Sequence, residues 1–365
     1  MKRIIRFILV CVTICMSLAL VLSYFTYYVN PADVWYIEVW ALGYPVYLFG
    51  TSVLLVYWLF SETKKYILIP LISLLFGFST HSDVVSLSTS NDDEDYADTL
   101  SVMSYNVQAF NWLGWRQRSD VQQGVCDYLY EKQADIICFQ EFHHDIQEPF
   151  VVIDSLKKYA GIINIAAHKF HSIPGRYFYG NVICSQYPII AEGVLHFQYT
   201  GNSCLWADIA LQSDTIRVCN VHLESYRFSP DDIKTIQEMS FFHIQDPQQY
   251  ESIVERVSHA VYMRGQQTDE LIRFISNSPY KVVLAGDFNT PPYSYTYKHL
   301  KKAGDFSDVF LSAGNGIGGT LNWNLPSVRL DYILYPSDWT CHTYESRKLL
   351  LSDHFPVFSG FSLKN

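Results

Sequence analysis

The spacing of apolar residues divides the chain into two parts. Residues 1–80 are almost continuously apolar, with runs at 4–24, 39–60 and 66–78. The first two runs are each long enough to cross the ~30 Å hydrocarbon layer of a bilayer as a helix. The third is short and crosses only if it continues through His81; the alternative is a buried or re-entrant segment. We therefore expect a membrane region at residues 1–81 with two to three transmembrane helices.

Beyond a polar, acidic linker at residues 82–98, short apolar runs alternate with segments of helical periodicity. Strands are predicted at 100–107, 136–139, 181–185, 205–211, 216–221, 281–285, 332–334 and 357–361, and helices at 118–132 and 252–276. Ser119 is a candidate cap for the first helix. This alternation fits an α/β fold at residues 99–365, a four-layer sandwich of two packed mixed β-sheets flanked by helices.

Charged residues predict how the membrane region is oriented. The bases before residue 100 lie ahead of the first apolar run and directly after the second: Lys2, Arg3, Arg6, Lys64 and Lys65. Segments 30–38 and 91–95 carry acids and no bases. Because loops rich in Lys and Arg stay in the cytoplasm, three crossings place residues 99–365 on the extracytoplasmic side. Two crossings would leave them in the cytoplasm.

The charge of the globular part bears on its substrate. The whole chain has a formal net charge of −10, and acids also outnumber bases within residues 101–365. Proteins that bind nucleic acids usually present a basic surface, because neutralising phosphates supplies most of their affinity. This balance argues against nucleic acid as the main substrate, although a local basic groove stays open.

The cysteines do not indicate a disulfide framework or a zinc site. Six of the eight lie in the globular part, with no Cys-x-x-Cys pair and no Cys/His spacing suited to zinc. Cys138 and Cys219 fall inside apolar strand-like runs, where a thiol behaves as a small hydrophobic side chain. We therefore expect buried free thiols.

Polar side chains stand where predicted strands end. Six short motifs share this property: Ser104-Tyr105-Asn106-Val107, Phe139-Gln140-Glu141, Asn220-Val221-His222-Leu223, Gly286-Asp287-Phe288-Asn289, Leu330-Asp331-Tyr332 and Ser352-Asp353-His354-Phe355-Pro356. Burying such groups one at a time is costly unless they find partners. Convergence on one pocket at the strand ends explains them best, since ligand sites of α/β sheets commonly form there.

The side chains in these motifs indicate a reaction class. Carboxylates and carboxamides without thiolates suit a hard cation such as Mg²⁺ or Mn²⁺. Two histidines beside carboxylates suit proton transfer or stabilisation of a phosphoryl oxyanion. The sequence contains no P-loop, no Gly-x-Ser-x-Gly elbow and no dinucleotide fingerprint. Metal-assisted attack of water on a phosphoester remains.

The ordered set Tyr-Asn-Val, Gln-Glu, His-Leu, Gly-Asp-Phe-Asn, Leu-Asp-Tyr and Ser-Asp-His resembles the endonuclease/exonuclease/phosphatase superfamily. Its members include pancreatic-type deoxyribonucleases, abasic-site endonucleases, bacterial sphingomyelinases, deadenylases and inositol polyphosphate 5-phosphatases. The resemblance extends over residues 100–363 and excludes the membrane region. Each motif alone is weak evidence, whereas six in this order are strong evidence.

The resemblance implies a role for each motif residue. Glu141 is the principal metal ligand, Asn106 contacts metal or phosphate beside it, and Asp353 lies near the metal. Asp287 and Asn289 position the attacking water and the scissile phosphate. Two roles concern histidines: His354, oriented by Asp331, contacts phosphate or acts as general base, and His222 stands where the sphingomyelinase and deoxyribonuclease branches carry histidine. The implied mechanism is in-line hydrolysis without a covalent intermediate.

Two further segments bear on the substrate. Arg176 and Asn181 belong to a stretch that resembles the family segment whose Asn or Arg approaches the phosphate. Residues 226–250, with Met239, Phe241 and Phe242, form an apolar lid or membrane-contacting element, or else a helical hairpin that only packs on the core.

Structural alternatives exist for the same residues. Asn106 could cap a strand, Glu141 could be an exposed loop acid and His222 a core histidine. Two alternatives involve specific partners: Asp287 with Asn289 could form an Asx-turn, and Asp331 could pair with Arg329.

Three classes of function remain open. The first is a membrane-tethered phosphoesterase acting on phospholipid head groups or extracytoplasmic phosphodiesters, with the lipid bilayer as its one inferable partner besides substrate. The second is a nuclease, and the third a non-catalytic module that binds a phosphorylated ligand. Because no motif residue is missing, the sequence favours an enzyme.

Overall fold

A computed structural model describes residues 1–88, 99–111, 114, 117–147, 152–159, 161–212, 214–238, 247–322 and 327–363. The helices are α1 Lys2–Ser23, α2 Trp35–Ala41, α3 Tyr44–Phe60, α4 Leu68–Phe76, α5 Phe78–Val84, α6 Gln108–Asn111, α7 Arg118–Lys132, α8 Val152–Tyr159, α9 Pro230–Glu238, α10 Pro247–Ser276, α11 Tyr295–Ala303 and α12 Val309–Ala313. The strands are β1 Ser86–Leu87, β2 Thr99–Asn106, β3 Ile136–Asp145, β4 Asn164–Ile173, β5 Tyr177–Ser185, β6 Ile189–His196, β7 Ser203–Ala210, β8 Thr215–His222, β9 Lys281–Asp287, β10 Phe306–Asp308, β11 Asn315–Gly316, β12 Asp331–Pro336, β13 Thr340–Ser346 and β14 Val357–Ser362.

The chain divides into two compact units. The first comprises Met1–Val84, Glu224–Gln266 and Pro292–Lys298, so it joins the apolar N-terminal helices to two segments from later in the chain. Residues 85–223, 267–291 and 299–365 form the second unit.

Among the described residues of the first unit, one helix is long and apolar enough to span a membrane. It covers Lys2–Tyr27 and has a mean hydropathy of 2.6. Two further helix pairs qualify only if each bent pair counts as one span: Trp35–Ala41 with Tyr44–Phe60, bent by 50°, and Lys64–Phe76 with Phe78–Val84, bent by 58°.

The second unit contains two six-stranded mixed sheets. One has the order β10-β12-β9-β8-β7-β6 and the other the order β13-β14-β2-β3-β5-β4. Strands β8 and β9 are parallel, as are β2 and β3, and the other neighbours are antiparallel. Strands β1 and β11 form a separate two-stranded sheet.

Alternate side chains of each strand fill the space between the two sheets. Val102 and Ile183 of one sheet pack in the same core as Val218, Val283 and Ile333 of the other. This two-residue period is the one expected of strands buried on one face against another sheet.

Helices cover the outer faces of both sheets. Val121 of α7 and Leu156 of α8 pack on the β2–β3–β5 side. On the other sheet, the Arg217 guanidinium lies 4.2 Å from the Trp206 ring centroid and 5.4 Å from that of Phe274 on α10. The predicted four-layer α/β sandwich is thereby confirmed.

Individual elements were predicted unevenly. The helix at 118–132 has the predicted bounds, but its cap is Gln117 without a side-chain hydrogen bond, so the prediction for Ser119 is wrong. Strand β3 continues six residues beyond 139, because residues 142–145 pair with β5 after a bulge at residues 140–141. Six strands were not predicted: β1, β4, β6, β10, β11 and β13. Most of the linker, residues 89–98, lies outside the described residues, as do Met239, Phe241 and Phe242.

All eight cysteines are free thiols, and Cys138, Cys184, Cys204 and Cys219 are fully buried. Burial raises the pKa of the Cys184 thiol to about 12. These four thiols therefore behave as core side chains.

At Gly286, both the backbone conformation and a close neighbouring strand oppose a side chain. Its φ is 145°, and an added Cβ would lie 1.9 Å from the Val221 carbonyl oxygen of the neighbouring strand. We predict that Gly286→Ala lowers Tm by about 5–10 °C, from both strain and overlap. Gly360→Ala is the matched control, because its Cβ would meet Thr343 at an ordinary 3.8 Å. Thermal unfolding of the full-length protein in detergent tests this, and equal Tm losses in both variants would contradict it.

Candidate active site

The site lies where the strands change from apolar to polar on their inner faces. On β9, Val283 and Ala285 belong to the inter-sheet core, and Asp287 follows on the same face. On β2, Val102 is in that core and Asn106 stands four residues further on. Because side chains two residues apart share a face, the core continues without a break into a polar cluster.

Strand register places three of the predicted residues side by side. His222 at the end of β8 is paired with Asp287, and Asp331 at the start of β12 is paired with Asp287 from the other side. Directly paired residues on one face have their Cβ atoms about 5 Å apart. Asp287 is consequently the centre of a row of three polar side chains on one sheet.

A β-bulge brings Glu141 into the cluster from the other sheet. The pairing of β3 with β5 shifts between Phe139 and Phe142, so Gln140 and Glu141 share one partner position. Glu141 has a φ of 53°, and its side chain keeps 28% of its surface exposed. A β-bulge commonly redirects a side chain. Here the bulge turns the carboxylate of Glu141 towards the polar cluster, at its solvent-accessible edge.

Asn106 links the two sheets. Its Nδ2 donates to Asp287 Oδ2 at 3.1 Å and to Glu141 Oε1 at 3.3 Å. His222 Nε2 lies 3.8 Å from the same Glu141 oxygen and 3.9 Å from Asp287 Oδ2. Asn106 therefore does more than cap a strand end, and His222 faces two carboxylates rather than an apolar core.

Buried amides support this bridge from below. Gln140 Nε2 donates to Asn220 Oδ1 at 2.8 Å, and Asn220 Nδ2 donates to the carbonyl of Phe139 at 2.8 Å. Both side chains are fully buried. Because buried amides need such partners, these bonds fix the relative position of the two sheets directly under the site.

His354 and Asp331 form a hydrogen-bonded pair. His354 Nδ1 is 2.8 Å from Asp331 Oδ2, and its Nε2 lies 3.7 Å from Asp287 Oδ2. Burial opposes the charge of His354, but the carboxylates of Asp331 and Asp287 outweigh it and hold its pKa well above the usual value. Arg329 pairs instead with Asp308. Asp331 thus orients an imidazole that is stabilised as a cation.

The Asp287 loop contains the Asx-turn that the sequence left open. Asp287 Oδ1 accepts from the Asn289 backbone N at 2.8 Å, while Oδ2 remains directed at Asn106 and His354. Asn289 has a φ of 52° and donates from Nδ2 to the carbonyl of Leu223 at 3.0 Å. The turn and the role in the site therefore coexist, because each uses a different carboxylate oxygen.

Asp353 reaches the cluster through Gln108, a residue that the sequence analysis did not select. Gln108 Nε2 donates to Asp353 Oδ2 at 2.8 Å, and Ser352 Oγ donates to Oδ1 at 3.2 Å. Residues 108–111 all have positive φ, between 45° and 77°. Such a run is strained for residues other than glycine, and it begins two residues after Asn106.

Tyr179 is a second residue that the sequence analysis missed. Burial, then the charge and hydrogen bond of Glu141, raise the pKa of its hydroxyl, so it remains a donor to that carboxylate. Its position two residues before Asn181 on β5 could have indicated it, because the two share a face.

The remaining two predicted residues differ in their surroundings. Asn181 is fully buried on β5, and its amide atoms have no hydrogen-bond partner among the described residues. Arg176 lies in the β4–β5 turn, half exposed, with Nε 3.9 Å from Asp145 Oδ2. The contacts of Arg176 do not bring it to the carboxylate cluster, and its substrate role stays a prediction.

The donor set fits a divalent cation. Burial raises the pKa of Asp287 and of Asp353, and neighbouring carboxylates add to both shifts. A carboxyl pair with raised pKa values marks negative charge that the protein leaves uncompensated. Gln108 Oε1, buried and without a hydrogen-bond partner in the described part of the chain, adds an oxygen beside Asp353. The oxygen-rich set around Glu141 suits a hard ion.

Another three-residue group has a different character. Ligand atoms of Asp287, Asp331 and His354 lie within 4.8 Å of one another. Because the His354–Asp331 hydrogen bond already occupies Nδ1, this group is better described as an acid–imidazole relay than as an ion site.

The family model described as "Endonuclease/Exonuclease/phosphatase family" matches residues 103–354. The chain belongs to this family, and the match supports phosphoesterase or nuclease activity in general. A second family model, described as a domain of unknown function, matches residues 5–83. No curated protein sequence matches the chain.

Solved structures share the fold. The human Nocturnin catalytic domain with bound sulfate anion is 16% identical, with a TM-score of 0.53 over 74% of this chain and 97% of that one. An endonuclease/exonuclease/phosphatase from Beutenbergia cavernae DSM 12333 is 16% identical, with a TM-score of 0.51 over 73% and 72%. D. rerio TDP2 humanized by 14 mutations is 17% identical, with a TM-score of 0.50 over 73% and 100%.

Beside Asn181 on the paired strand β4, His168 provides a pH test of the site's surroundings. Its Nδ1 is 2.8 Å from Ser203 Oγ, and burial, with a smaller effect of His196, lowers its pKa to about 4. A folded-state pKa below the unfolded value of ~6.5 means that stability is fully present above pH 6.5 and declines as the pH falls towards 4. We predict that His168→Gln weakens this decline in unfolding curves. An NMR titration of His168 with a midpoint near 6.5 would contradict the prediction.

Proposed function

We propose that this protein is a membrane-tethered, Mg²⁺- or Mn²⁺-dependent hydrolase that cleaves a phosphodiester by in-line attack of water. The observation that carries the proposal is the bridge of Asn106 between Glu141 and Asp287, with the Asp331–His354 pair beside it. A divalent cation held by Glu141, with Asp353 nearby, would polarise the phosphoryl oxygens.

The protein's own side chains divide the remaining work. Asp287 is buried and its Oδ2 faces Asn106 and the two histidines of the cluster, so in this proposal it accepts the proton of the attacking water. Asn289 holds the loop of Asp287 against Leu223. The raised pKa of His354 favours the imidazolium, so Nε2–H contacts a phosphoryl oxygen rather than removing a proton.

His222 and Asn181 bind the substrate in this proposal. His222 Nε2 lies between Glu141 and Asp287, where a phosphoryl oxygen would replace carboxylate as its partner. Asn181 has a buried amide that lacks hydrogen bonds among the described residues, which suits a group that pairs only with substrate.

Charge and anchoring together favour phosphodiester head groups in a membrane over nucleic acid. The chain is acidic overall, and none of the described contacts of the carboxylate cluster involves Lys or Arg. Polyanion binding depends on such bases. A helix able to cross a bilayer precedes the domain, so substrate in the same bilayer is within reach.

We predict that full-length protein in detergent micelles hydrolyses a chromogenic phosphodiester and that EDTA abolishes the activity. Asp287→Asn and His354→Gln should each lower kcat about 10²- to 10⁴-fold, because they remove the proton acceptor and the oxyanion contact. Sphingomyelin, phosphatidylinositol phosphates, DNA and RNA, assayed in parallel, then identify the substrate.

Matched controls separate chemistry from folding. Asp338→Asn changes an exposed acid that is paired with Lys281. His342→Gln changes a histidine of β13 whose ring is hydrogen-bonded to Ser362 of β14. Both should retain wild-type rates. Equal rates for wild type, Asp287→Asn and His354→Gln would favour the non-catalytic binding module instead.

We further propose that the catalytic domain faces the extracytoplasmic side, after three crossings. The positions of Lys64 and Lys65 between the second and third apolar segments support this orientation. We predict that an alkaline phosphatase fused after residue 90 is active and a green fluorescent protein fused there is dark. The opposite pair of results would overturn the three-crossing topology.

A further inference from the structure

Residues 30–38, between the first two apolar segments, pack against α10. At Gly265 the two segments approach so closely that an added Cβ would lie 2.6 Å from the backbone N of Ala32. One position earlier, Arg264 Nη2 lies 3.9 Å from Glu38 Oε1. All of these residues belong to the first unit. The loop after the first apolar segment and this part of α10 are therefore direct neighbours within one compact unit.

The same loop has the properties of a boundary between membrane and water. It follows directly on the helix that is long enough to cross a bilayer, Lys2–Tyr27. The loop and its flanks expose four large aromatic side chains, Tyr28, Trp35, Tyr36 and Trp40. Tryptophan and tyrosine gather at the edge of the hydrocarbon layer, where an apolar ring and a polar atom are both accommodated. Where the first helix spans a bilayer, this loop and the adjoining part of α10 lie at the level of the lipid head groups.

A pocket forms between this loop and one face of α10. Its volume is about 610 Å³, within the ~300–1,000 Å³ of sites that bind small molecules. Side chains of the loop and of the helix line it, including Trp35, Ser252, Glu255, Arg256, His259 and Tyr262. The helical residues recur with a period of three to four, so they project from one side of α10. We call this cavity the Trp35 pocket.

The Trp35 pocket contains charges of both signs. No described residue forms a hydrogen bond or an ion pair with the exposed carboxylate of Glu255. Arg256 is held on one side, because Nη1 donates to the carbonyl of Arg227 at 3.1 Å and Nε lies 3.7 Å from Asp232 Oδ2. Its Nη2 has no partner in the described part of the chain. A guanidinium held in this way loses little freedom when it binds a phosphate oxygen.

Two aromatic rings accompany these charges. Trp35 exposes 37% of its surface and Tyr262 exposes 40%, and Tyr262 Oη accepts a hydrogen bond from Gln266 Nε2 at 3.0 Å. The faces of such rings attract ammonium groups, including quaternary ones. An acid beside two rings suits a cation, and an arginine with a free N–H edge suits a phosphate. The pocket is thus complementary to a small group that carries both a phosphate and an ammonium.

We propose that the Trp35 pocket binds the head group of a zwitterionic phospholipid, with the phosphate at Arg256 Nη2 and the ammonium at Glu255 and the rings of Trp35 and Tyr262. Phosphatidylethanolamine and phosphatidylcholine share this chemistry. The proposal depends on a bilayer-spanning first helix and goes beyond the hydrolase. Every lining residue belongs to the first unit, whereas the carboxylate cluster belongs to the second, so lipid binding here requires no turnover.

Native mass spectrometry of the full-length protein in a maltoside detergent measures this binding directly. Phosphatidylethanolamine, phosphatidylcholine and phosphatidylglycerol with the same acyl chains are titrated in EDTA, which removes the cation that the proposed hydrolase needs. We expect Kd for at least one zwitterionic lipid to lie about 5- to 30-fold below that for phosphatidylglycerol, which has a phosphate but no ammonium. Preference for ethanolamine would assign more of the selectivity to Glu255, and preference for choline would assign more to the rings.

Three variants have different expected effects on this selectivity. Glu255→Gln and Trp35→Leu should each raise Kd for the preferred zwitterionic lipid about 5- to 30-fold without weakening phosphatidylglycerol, because the ammonium contact alone is lost. Arg256→Gln should weaken all three lipids by a similar factor, because each carries a phosphate. Loss of selectivity in Glu255→Gln, unlike a general loss of binding, does not follow from partial unfolding.

Two matched controls accompany these variants. Glu251→Gln changes an exposed acid of the same helix, and Tyr36→Leu changes the exposed aromatic neighbour of Trp35; neither residue lines the pocket. Both should bind the three lipids as wild type does. Glu255→Gln breaks no contact within the described residues, so it keeps the test available should Arg256→Gln fail to fold.

Several results would overturn the proposal. These are equal affinity of the wild type for the three lipids, tighter binding of phosphatidylglycerol, or unchanged selectivity in folded Glu255→Gln and Trp35→Leu. Lipid binding that occurs without EDTA and disappears with it would assign the lipid to the metal site and count equally against the pocket. Failure of the hydrolase is a separate result: selective lipid binding by a protein that cleaves no phosphodiester would leave the Trp35 pocket in place.

Discussion

The central constraint of this protein is the cost of holding several carboxylates together where little water reaches them. Asp287 and Asp331 are nearly inaccessible, and Glu141 and Asp353 are close by. Mutual repulsion and lost hydration would push such groups apart or protonate them. The Asn106 amide and the His354 imidazole offset part of this cost. The cluster thus keeps an excess of negative charge, which suits the divalent cation proposed for it.

Much of the fold and the site could be read from the sequence because the inner faces of the central strands are unambiguous. Runs such as Val282–Ala285 are apolar on both faces and end in acids or amides, so both the strand and its functional end are visible. Edge strands gave no such signal. Strand β6 carries Glu192 and Gly193, and β4 alternates polar with apolar residues on a half-exposed surface, which single-sequence patterns do not separate from loops.

Other features depend on tertiary structure that no local pattern encodes. The bulge at Glu141 arises from pairing with β5, and the left-handed run from Gln108 arises from packing after Asn106. Tyr179 became relevant only when β5 was set beside that bulge. Residues 224–266 and 292–298 likewise belong to one compact unit with the N-terminal helices, although these parts of the chain are far apart in sequence. The apolar pattern predicted N-terminal membrane helices, but it did not indicate which later segments of the chain pack with them.

The four fully buried thiols have a consequence under the proposed extracytoplasmic orientation, which places the domain in an oxidising compartment. Disulfide exchange proceeds through the thiolate, and burial both suppresses that form and blocks the approach of a partner. Resistance to oxidation is therefore a property of the closed sandwich rather than of the cysteines themselves. In the proposed extracytoplasmic orientation, Cys138, Cys184, Cys204 and Cys219 would be open to mispairing in the unfolded chain until the two sheets close over them.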